Sequence, residues 1–441
     1  MNNMFLLYID PGTGSMLFSL FIGLAAALTF GLRALFMKIK FFLSGGKASK
    51  NESDKIPFVI FSDHKRYWNV FKPICDEFEK RGVDLVYLTA SPDDPALTAG
   101  YQHIKGEYLG ENNKPYARLN MLNADIVIST TPGLGVLQWK RSKGVKLYVH
   151  VPHTVDDLSG YRMFGLDYYD VVLTTGQNQI DLIRKIEELR PAIAKKELVT
   201  VGSPNLDAMK ARLSEESSKA SSKLPDREPS NVSAQGTGEY ADASNAADGS
   251  GKKNKGKKTV LVAPSWGVSG ILSRYGEKLL DSLSKTDFNV IVRPHPQTVV
   301  SEQNILKPLE EKYQNIEWNY DNDNFSVLDK ADLLITDFSG IIFDYSLVFD
   351  KPLIYADTNF DTLPYDADWI SEPMWSFRVL PRLGLQLKEE DFDKIGSIIN
   401  QAIESKNLQE GRNAVRAECW EHQGECAKRI TDYLLEKQKT L

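Results

Sequence analysis

The sequence has 441 residues, of which 42% are apolar, 25% charged and 10% aromatic, a usage typical of a globular protein long enough for two or three domains. The formal net charge of −6 excludes a protein that binds nucleic acid through a broadly basic surface. Three scattered cysteines provide neither a disulfide framework nor a metal-binding pattern, which favours a reducing compartment.

The N-terminus contains an uncharged, largely apolar stretch at residues 11–32, long enough for a helix that spans a bilayer. Arg33 and several lysines follow it, and Asp10 is the only charge before it. The positive-inside rule therefore predicts a single-pass inner-membrane protein with its catalytic part in the cytoplasm, and residues 1–50 form the anchor and a basic juxtamembrane segment. The alternatives are a cleaved signal peptide, which would need a basic segment before the apolar run, and a buried helix.

Residues 56–213 are predicted to form the first of two α/β domains. Short apolar runs alternate with helical patterns, and such continuous apolar strands indicate a parallel sheet covered on both faces. The runs lie at residues 59–61, 126–128, 147–149, 171–173 and 198–201.

Residues 214–258 contain almost no large apolar side chains and are predicted to be a disordered low-complexity linker or insertion. The strand pattern resumes at Thr259, so residues 259–385 are predicted to form a second Rossmann-like domain and residues 386–441 to form C-terminal helices.

Residues 123–133, 168–178 and 330–340 share one pattern, in which an acid and an apolar run precede a loop with hydroxyl groups. We therefore expect two Rossmann-like domains that face a cleft, with ligands beyond the carboxyl ends of the strands.

His153 is the first candidate for chemistry. It follows the apolar run 147–149, and Asp156 and Asp157 come within a turn of it. A histidine in that position is suited to be a general base, and Asp156 could orient the imidazole and raise its basicity. The alternative is a structural histidine that hydrogen-bonds a carbonyl. His150, two residues earlier in the chain, is expected to be a packing residue.

His295 lies between two prolines at the end of another strand, close to Arg293 in "VIVRPHPQ". The pair offers hydrogen-bond donors to phosphate oxygens, and arginine is favoured for bidentate contacts. The alternative is an ordinary turn with a surface arginine.

A further polar loop follows the apolar run 333–335. Hydroxyls and backbone N–H groups at the start of a helix are suited to binding an anion, although a simple helix N-cap would use the same residue types. The loop contains Thr336, Asp337, Ser339 and Gly340.

The sequence has no P-loop motif, no GxGxxG after the first strand and no dense carboxylate cluster, so we expect no obligatory metal or other cofactor.

Three stretches, "TVLVAPSW", "VIVRPHPQ" and "ADLLITDFSGIIFDYSLVFDKPLIY", together resemble the CDP-glycerol glycerophosphotransferase family of teichoic-acid primases and polymerases, which have a GT-B-like fold. The resemblance covers about residues 259–360 and is weaker from 56 to 210. It implies that His153 is the base for the acceptor hydroxyl, in an acceptor-side domain. It also implies that His295, Ser339 and neighbours such as Ser265 hold the donor pyrophosphate, in a nucleotide-binding domain.

The resemblance implies transfer of glycerol phosphate, or a related polyol phosphate, from a CDP-alcohol to a hydroxyl of a lipid-linked envelope acceptor at the inner leaflet, with release of CMP. Gly340 stands where the family often has a second serine, and Thr154 replaces the glycine after the first-half histidine, which leaves the alcohol and the acceptor open. The alternatives are a GT-B glycosyltransferase with a nucleotide-sugar donor and a non-catalytic membrane-tethered binding protein. The oligomeric state stays open.

Overall fold

The computed structural model describes residues 21–24, 28–29, 31–33, 35–36, 39, 55–222, 256–321, 323–356 and 360–441. The chain divides into two compact units, Met1–Lys55 and Ile56–Leu441. The predicted transmembrane segment, residues 11–32, lies mostly outside the described residues. In the part of the chain that is described, no helix has both the length and the apolar character that crossing a membrane requires.

Seven parallel strands form the first sheet of the larger unit. Their bounds are β1 Ile56–Ser62, β2 Leu85–Thr89, β3 Ile104–Tyr108, β4 Asn123–Ser129, β5 Gly144–His150, β6 Val171–Thr174 and β7 Glu197–Thr200. They lie in the order β3-β2-β1-β4-β5-β6-β7. Phe58 and Ile60 on β1 enter one buried cluster and Val59 and Phe61 enter another, so both faces of the sheet are covered. This burial explains why the strands are continuously apolar.

Six parallel strands form the second sheet. Their bounds are β8 Thr259–Val262, β9 Asn289–Val292, β10 Glu317–Trp318, β11 Leu333–Thr336, β12 Leu353–Ala356 and β13 Gly384–Leu387. They lie in the order β10-β9-β8-β11-β12-β13. Val260 and Val262 face one cluster and Leu261 the other, which repeats the arrangement of the first sheet. The predicted α/β architecture of two parallel sheets is confirmed.

Helices connect the strands and cover both sheets. In chain order they are α1 Trp68–Lys80, α2 Lys114–Leu119, α3 Gln177–Leu189, α4 Pro204–Ser222, α5 Ile271–Ser284, α6 Pro296–Ser301, α7 Gln303–Lys312, α8 Phe325–Lys330, α9 Ile341–Phe343, α10 Trp375–Arg378, α11 Leu380–Leu383, α12 Ile395–Glu404, α13 Asn407–Cys419 and α14 Cys426–Thr440. A π-helical turn, Asp344–Val348, continues α9.

The C-terminal helices join the two sheets. Cys419 and Trp420, at the end of α13, are buried in the core of the second sheet, whereas Ile430 and Leu434 of α14 are buried in the core of the first. Asp207 of α4 accepts a hydrogen bond from the Trp420 indole N–H at 2.9 Å. The C-terminal end of the chain therefore packs against the first domain, and this packing connects the two sheets.

Two predicted boundaries fall inside regular elements. Helix α4 extends to Ser222, so the predicted linker 214–258 begins within a helix, and residues 223–255 lie outside the described part of the chain. The predicted boundary at residue 385 falls within β13, the last strand of the second sheet.

Candidate active site

His153 lies in the loop after β5, at the carboxyl edge of the first sheet. Its ring lies between those of Tyr67 and Tyr161, with centroid distances of 4.9 and 5.9 Å. Its Nδ1 atom is 3.2 Å from Oγ1 of Thr130, which follows β4. Two aromatic rings and a hydroxyl therefore fix the half-buried imidazole at the sheet edge.

Burial and, next, the positive charge of Arg66 lower the pKa of His153 from 6.5 to about 4. The imidazole is therefore neutral near pH 7 and can accept a proton, as a general base must. The prediction that a carboxylate raises the basicity of His153 is wrong, because burial and a cation set its pKa.

Asp156 shapes the loop that carries His153. Its carboxylate accepts a hydrogen bond from the backbone N–H of Leu158 at 3.0 Å, and burial and the neighbouring Asp157 raise the pKa of Asp156 to about 7. Asp157 accepts a hydrogen bond from the backbone N–H of Trp375 at 2.8 Å, which ties the loop to the second half of the chain. In the described part of the protein, no hydrogen bond joins Asp156 to His153, so the structure does not support the predicted orienting role.

His295 follows β9 and caps the N-terminus of α6. Its Nδ1 accepts a hydrogen bond from the backbone N–H of Gln297 at 3.1 Å, so Nε2 carries the proton of the neutral ring. Burial and then Arg66 lower the pKa of His295, while Asp337 and Glu302 oppose that shift. His295 is thus held as a hydrogen-bond donor at the carboxyl edge of the second sheet.

Two predicted donor-binding side chains are engaged within the protein. The Arg293 guanidinium donates to Oδ1 of Asn319 and to the carbonyl of Asp321, the latter at 2.7 Å. Thr336 is fully buried, and its hydroxyl donates to the carbonyl of Ala263 at 2.7 Å. These contacts fasten loops and strands at the sheet edge, so the structure gives both residues a structural role.

Asp337 is also structural. Its side chain is buried, and its carboxylate accepts hydrogen bonds from backbone N–H groups of the loops after β8 and β11 at 2.7 to 3.2 Å. The donors belong to Ser265, Ile271, Phe338 and Ser339. Asp337 therefore holds together the two loops that border the predicted donor site.

The remaining predicted donor-site residues are Ser265, Ser339 and Gly340, of which Ser339 and Gly340 reach the surface. The Ser265 hydroxyl is buried and has no hydrogen-bond partner among the described residues, Ser339 is half-buried and Gly340 is exposed. Gly340 has a φ of −57°, and an added Cβ would meet no atom within 4 Å. Because β9, β8 and β11 are adjacent, these residues and His295 lie along one edge of the sheet.

Arg66 is a site residue that the sequence analysis missed. It lies in the short 3-10 turn Lys65–Tyr67 that follows β1. Its ring contact is with Tyr67, which in turn contacts His153, and after burial its charge lowers the pKa of both His153 and His295. The position of Arg66 in the sequence could have indicated its role, because a cation directly after a parallel strand lies at the ligand-binding edge of the sheet.

The described residues also enclose two cavities. One, of about 560 Å³, lies at the loops after β1 and β2 and is lined by Asp63, Asp93 and Glu111 among others, whereas the other, of about 460 Å³, lies between α3 and residues 372–378. Neither lining includes His153 or His295. Within the described part of the chain, no group of three or more His, Cys, Asp or Glu residues is arranged to hold a metal ion.

The model of the CDP-Glycerol:Poly(glycerophosphate) glycerophosphotransferase family matches residues 239–372. The predicted family resemblance is confirmed. The matched range contains the whole edge from Ser265 to Gly340, and the chain is a glycerophosphotransferase-like transferase, as its motifs predicted. No curated protein matches the chain in sequence.

Solved structures show the same fold. The wall teichoic acid polymerase TagF has a TM-score of 0.54 at 16% identity, with 93% of this chain and 98% of that chain covered. A histidine-to-asparagine variant of TagF soaked with CDPG for 30 minutes has a TM-score of 0.55, at the same identity and coverage of 16%, 93% and 98%. A putative UDP-N-acetylglucosamine 2-epimerase from Listeria monocytogenes has a TM-score of 0.52 at 12% identity, with 88% of this chain and 98% of that chain covered.

Proposed function

We propose that the protein is a membrane-anchored transferase that moves glycerol phosphate, or a related polyol phosphate, from a CDP-alcohol to a hydroxyl of a lipid-linked envelope acceptor. The observation that carries this proposal is a neutral histidine, His153, on one sheet edge, in a fold whose other sheet edge holds His295 and the serine hydroxyls. The family match to residues 239–372 covers that second edge and supports a CDP-alcohol as the donor.

In the proposed reaction, Nε2 of neutral His153 takes the proton of the acceptor hydroxyl. The hydroxyl oxygen then forms a bond to the phosphorus of the glycerol-phosphate group. The bond from that phosphorus to the oxygen bridging it to the CMP phosphate breaks, and its electron pair stays on that oxygen, so CMP leaves. Phosphoryl transfer of this kind depends mainly on positioning and on charge stabilisation, which is consistent with a site built from hydrogen-bond donors.

His295, Ser265 and Ser339 are proposed to bind the pyrophosphate of the donor. Nε2–H of His295 is a donor, as is the Ser265 hydroxyl, which has no hydrogen-bond partner among the described residues, and phosphate oxygens are acceptors. The TagF structures include a complex soaked with CDPG, and this supports a CDP-glycerol donor for the present chain.

The membrane part of the proposal depends on residues 1–50. A helix over residues 11–32, followed by the basic segment, would hold the catalytic unit at the cytoplasmic face of the inner membrane, where a lipid-linked acceptor is presented. Fractionation of the full chain tests this part. Recovery in the soluble fraction would contradict it.

The decisive experiment incubates the protein with CDP-glycerol, CDP-ribitol or UDP-sugars, together with a lipid-linked acceptor, and measures release of CMP or UDP. We expect CMP release from a CDP-alcohol. Release of UDP alone would establish a glycosyltransferase, and release of neither nucleotide would favour a binding protein.

His153→Ala should lower turnover by about 100-fold or more, the usual contribution of a general base, with the affinity for the donor retained. His103→Ala is the matched control, because His103 pairs with Asp84 on the surface and should leave turnover unchanged. Turnover that survives in His153→Ala would disprove the assignment of the base.

A further inference from the structure

Arg66 occupies a fixed position at the carboxyl edge of the first sheet. It belongs to the 3-10 turn after β1, and its backbone N–H donates to Nδ1 of His64 at 3.1 Å. Its guanidinium carbon lies 5.1 Å from the centroid of the Tyr67 ring. The Tyr67 ring in turn contacts the ring of His153. Arg66 is therefore joined to the candidate base through a single aromatic side chain.

The guanidinium of Arg66 is exposed and has no carboxylate within ion-pair distance among the described residues. Its neighbour Lys65 differs, because the Lys65 ammonium pairs with Asp93 and the Lys65 backbone N–H donates to Oγ of Ser91 at 3.0 Å. Two adjacent cations thus have opposite roles. Lys65 is neutralised within the protein, whereas Arg66 has no ion-pair partner among the described residues.

The charge of Arg66 acts on a histidine at each of the two sheet edges. Arg66 is the cation that lowers the pKa of His153 in the first domain, and it also lowers the pKa of His295 in the second. The positive charge of Arg66 disfavours a proton on either histidine ring. An anion bound among the three residues would remove this repulsion.

We propose that Arg66 binds the phosphoryl group that is transferred. This inference rests on the proposed function and adds a binding residue from the first domain to the donor site of the second. The phosphorus that is attacked must lie near His153, because that base activates the attacking hydroxyl, while the CMP phosphate lies at His295 and the serines. Arg66, joined to His153 through the Tyr67 ring, is placed to contact the non-bridging oxygens of that phosphate.

The guanidinium has two effects at that position. Its positive charge stabilises the charge on the phosphoryl oxygens as the bond to CMP breaks. It also adds to the effect of burial in lowering the pKa of His153, so the ring stays neutral and can accept a proton at lower pH. Removal of Arg66 therefore weakens binding of the phosphoryl group and raises the pKa of His153.

The test compares Arg66→Ala, Arg66→Lys and Lys65→Ala in the full-length protein. We expect kcat/KM for the CDP-alcohol to fall about 100- to 1000-fold in Arg66→Ala, as for removal of one preorganised donor to a transition state, with partial recovery in Arg66→Lys. Lys65→Ala should stay within about 3-fold of the wild type, because the Lys65 charge is not among those that shift either histidine. Binding of CDP, measured by calorimetry, should weaken in Arg66→Ala and be unchanged in Lys65→Ala.

A pH–rate profile separates this role from a merely structural one. The acidic limb should move to higher pH in Arg66→Ala and not in Lys65→Ala. Equal losses in Arg66→Ala and Lys65→Ala, or a limb that does not move in Arg66→Ala, would overturn the inference even if CDP-glycerol is the donor. If UDP-sugars are the donors, the proposed function fails, and the same comparison with UDP and the UDP-sugar decides the role of Arg66.

Discussion

The buried carboxylate of Asp337 allows a quantitative test of how the second sheet edge is built. In the wild type, the backbone N–H of Ile271 donates to Oδ2 of Asp337 at 2.9 Å. In Asp337→Asn the amide oxygen can take the place of Oδ1, but the NH₂ group then takes the place of Oδ2 and faces this N–H donor. Hydrogen bonds to a charged acceptor contribute about 1.5–3 kcal/mol each. Loss of roughly two such bonds predicts a decrease of about 3–6 kcal/mol in the free energy of unfolding.

Chemical denaturation followed by tryptophan fluorescence measures this decrease. Asp332→Asn is the matched control, because Asp332 is exposed and accepts a hydrogen bond from the backbone N–H of Thr259 at 2.8 Å. The control should lose less than about 1 kcal/mol. If Asp337→Asn costs no more than Asp332→Asn, the carboxylate does not hold the two loops together, and the structural role assigned to Asp337 is wrong.

Two further predictions follow from His150 and Gly340. His150 is fully buried and its pKa is lowered from 6.5 to about 3, so its contribution to stability is present above pH 6.5 and is lost as the pH falls. Between pH 7 and pH 5 we expect a loss of about 2 kcal/mol that His150→Gln does not show, and an equal loss in both proteins would contradict it. Gly340→Ser should change the free energy of unfolding by less than about 0.5 kcal/mol and alter the ratio of turnover with CDP-glycerol and CDP-ribitol. A large loss of stability in Gly340→Ser would show that the glycine is required by the fold.

The sheets could be predicted because both of their faces are buried. A strand such as β11 must then be continuously apolar, and it ends where the chain reaches the polar edge. Which polar side chains at that end turn into the protein could not be predicted. Thr336 is the last residue of its strand, and its hydroxyl donates to the carbonyl of Ala263, which directly follows the neighbouring strand β8. That contact joins residues far apart in sequence, and no local pattern indicates it.

The same limit explains Arg66 and His153. Lys65 and Arg66 are adjacent and similar in sequence, and only the position of Asp93 shows which of them is neutralised. The partner of His153 was expected to be a nearby acid in the chain, yet Thr130 from another loop takes that place. Local sequence thus located the edge of the sheet, while long-range contacts decided which side chains at that edge face the ligand.

The polar motif after β11 therefore has two parts with different constraints. Thr336 and Asp337 are buried and bind backbone groups of the loop after β8, so removal of either polar group leaves its buried partners unpaired. Ser339 and Gly340 follow at the accessible edge, and Gly340 has open space around it. A change at Gly340 can alter what the site binds at little cost in stability, whereas a change at Asp337 cannot. The glycine at position 340 is consequently the place in this motif where donor specificity can vary while the fold is kept.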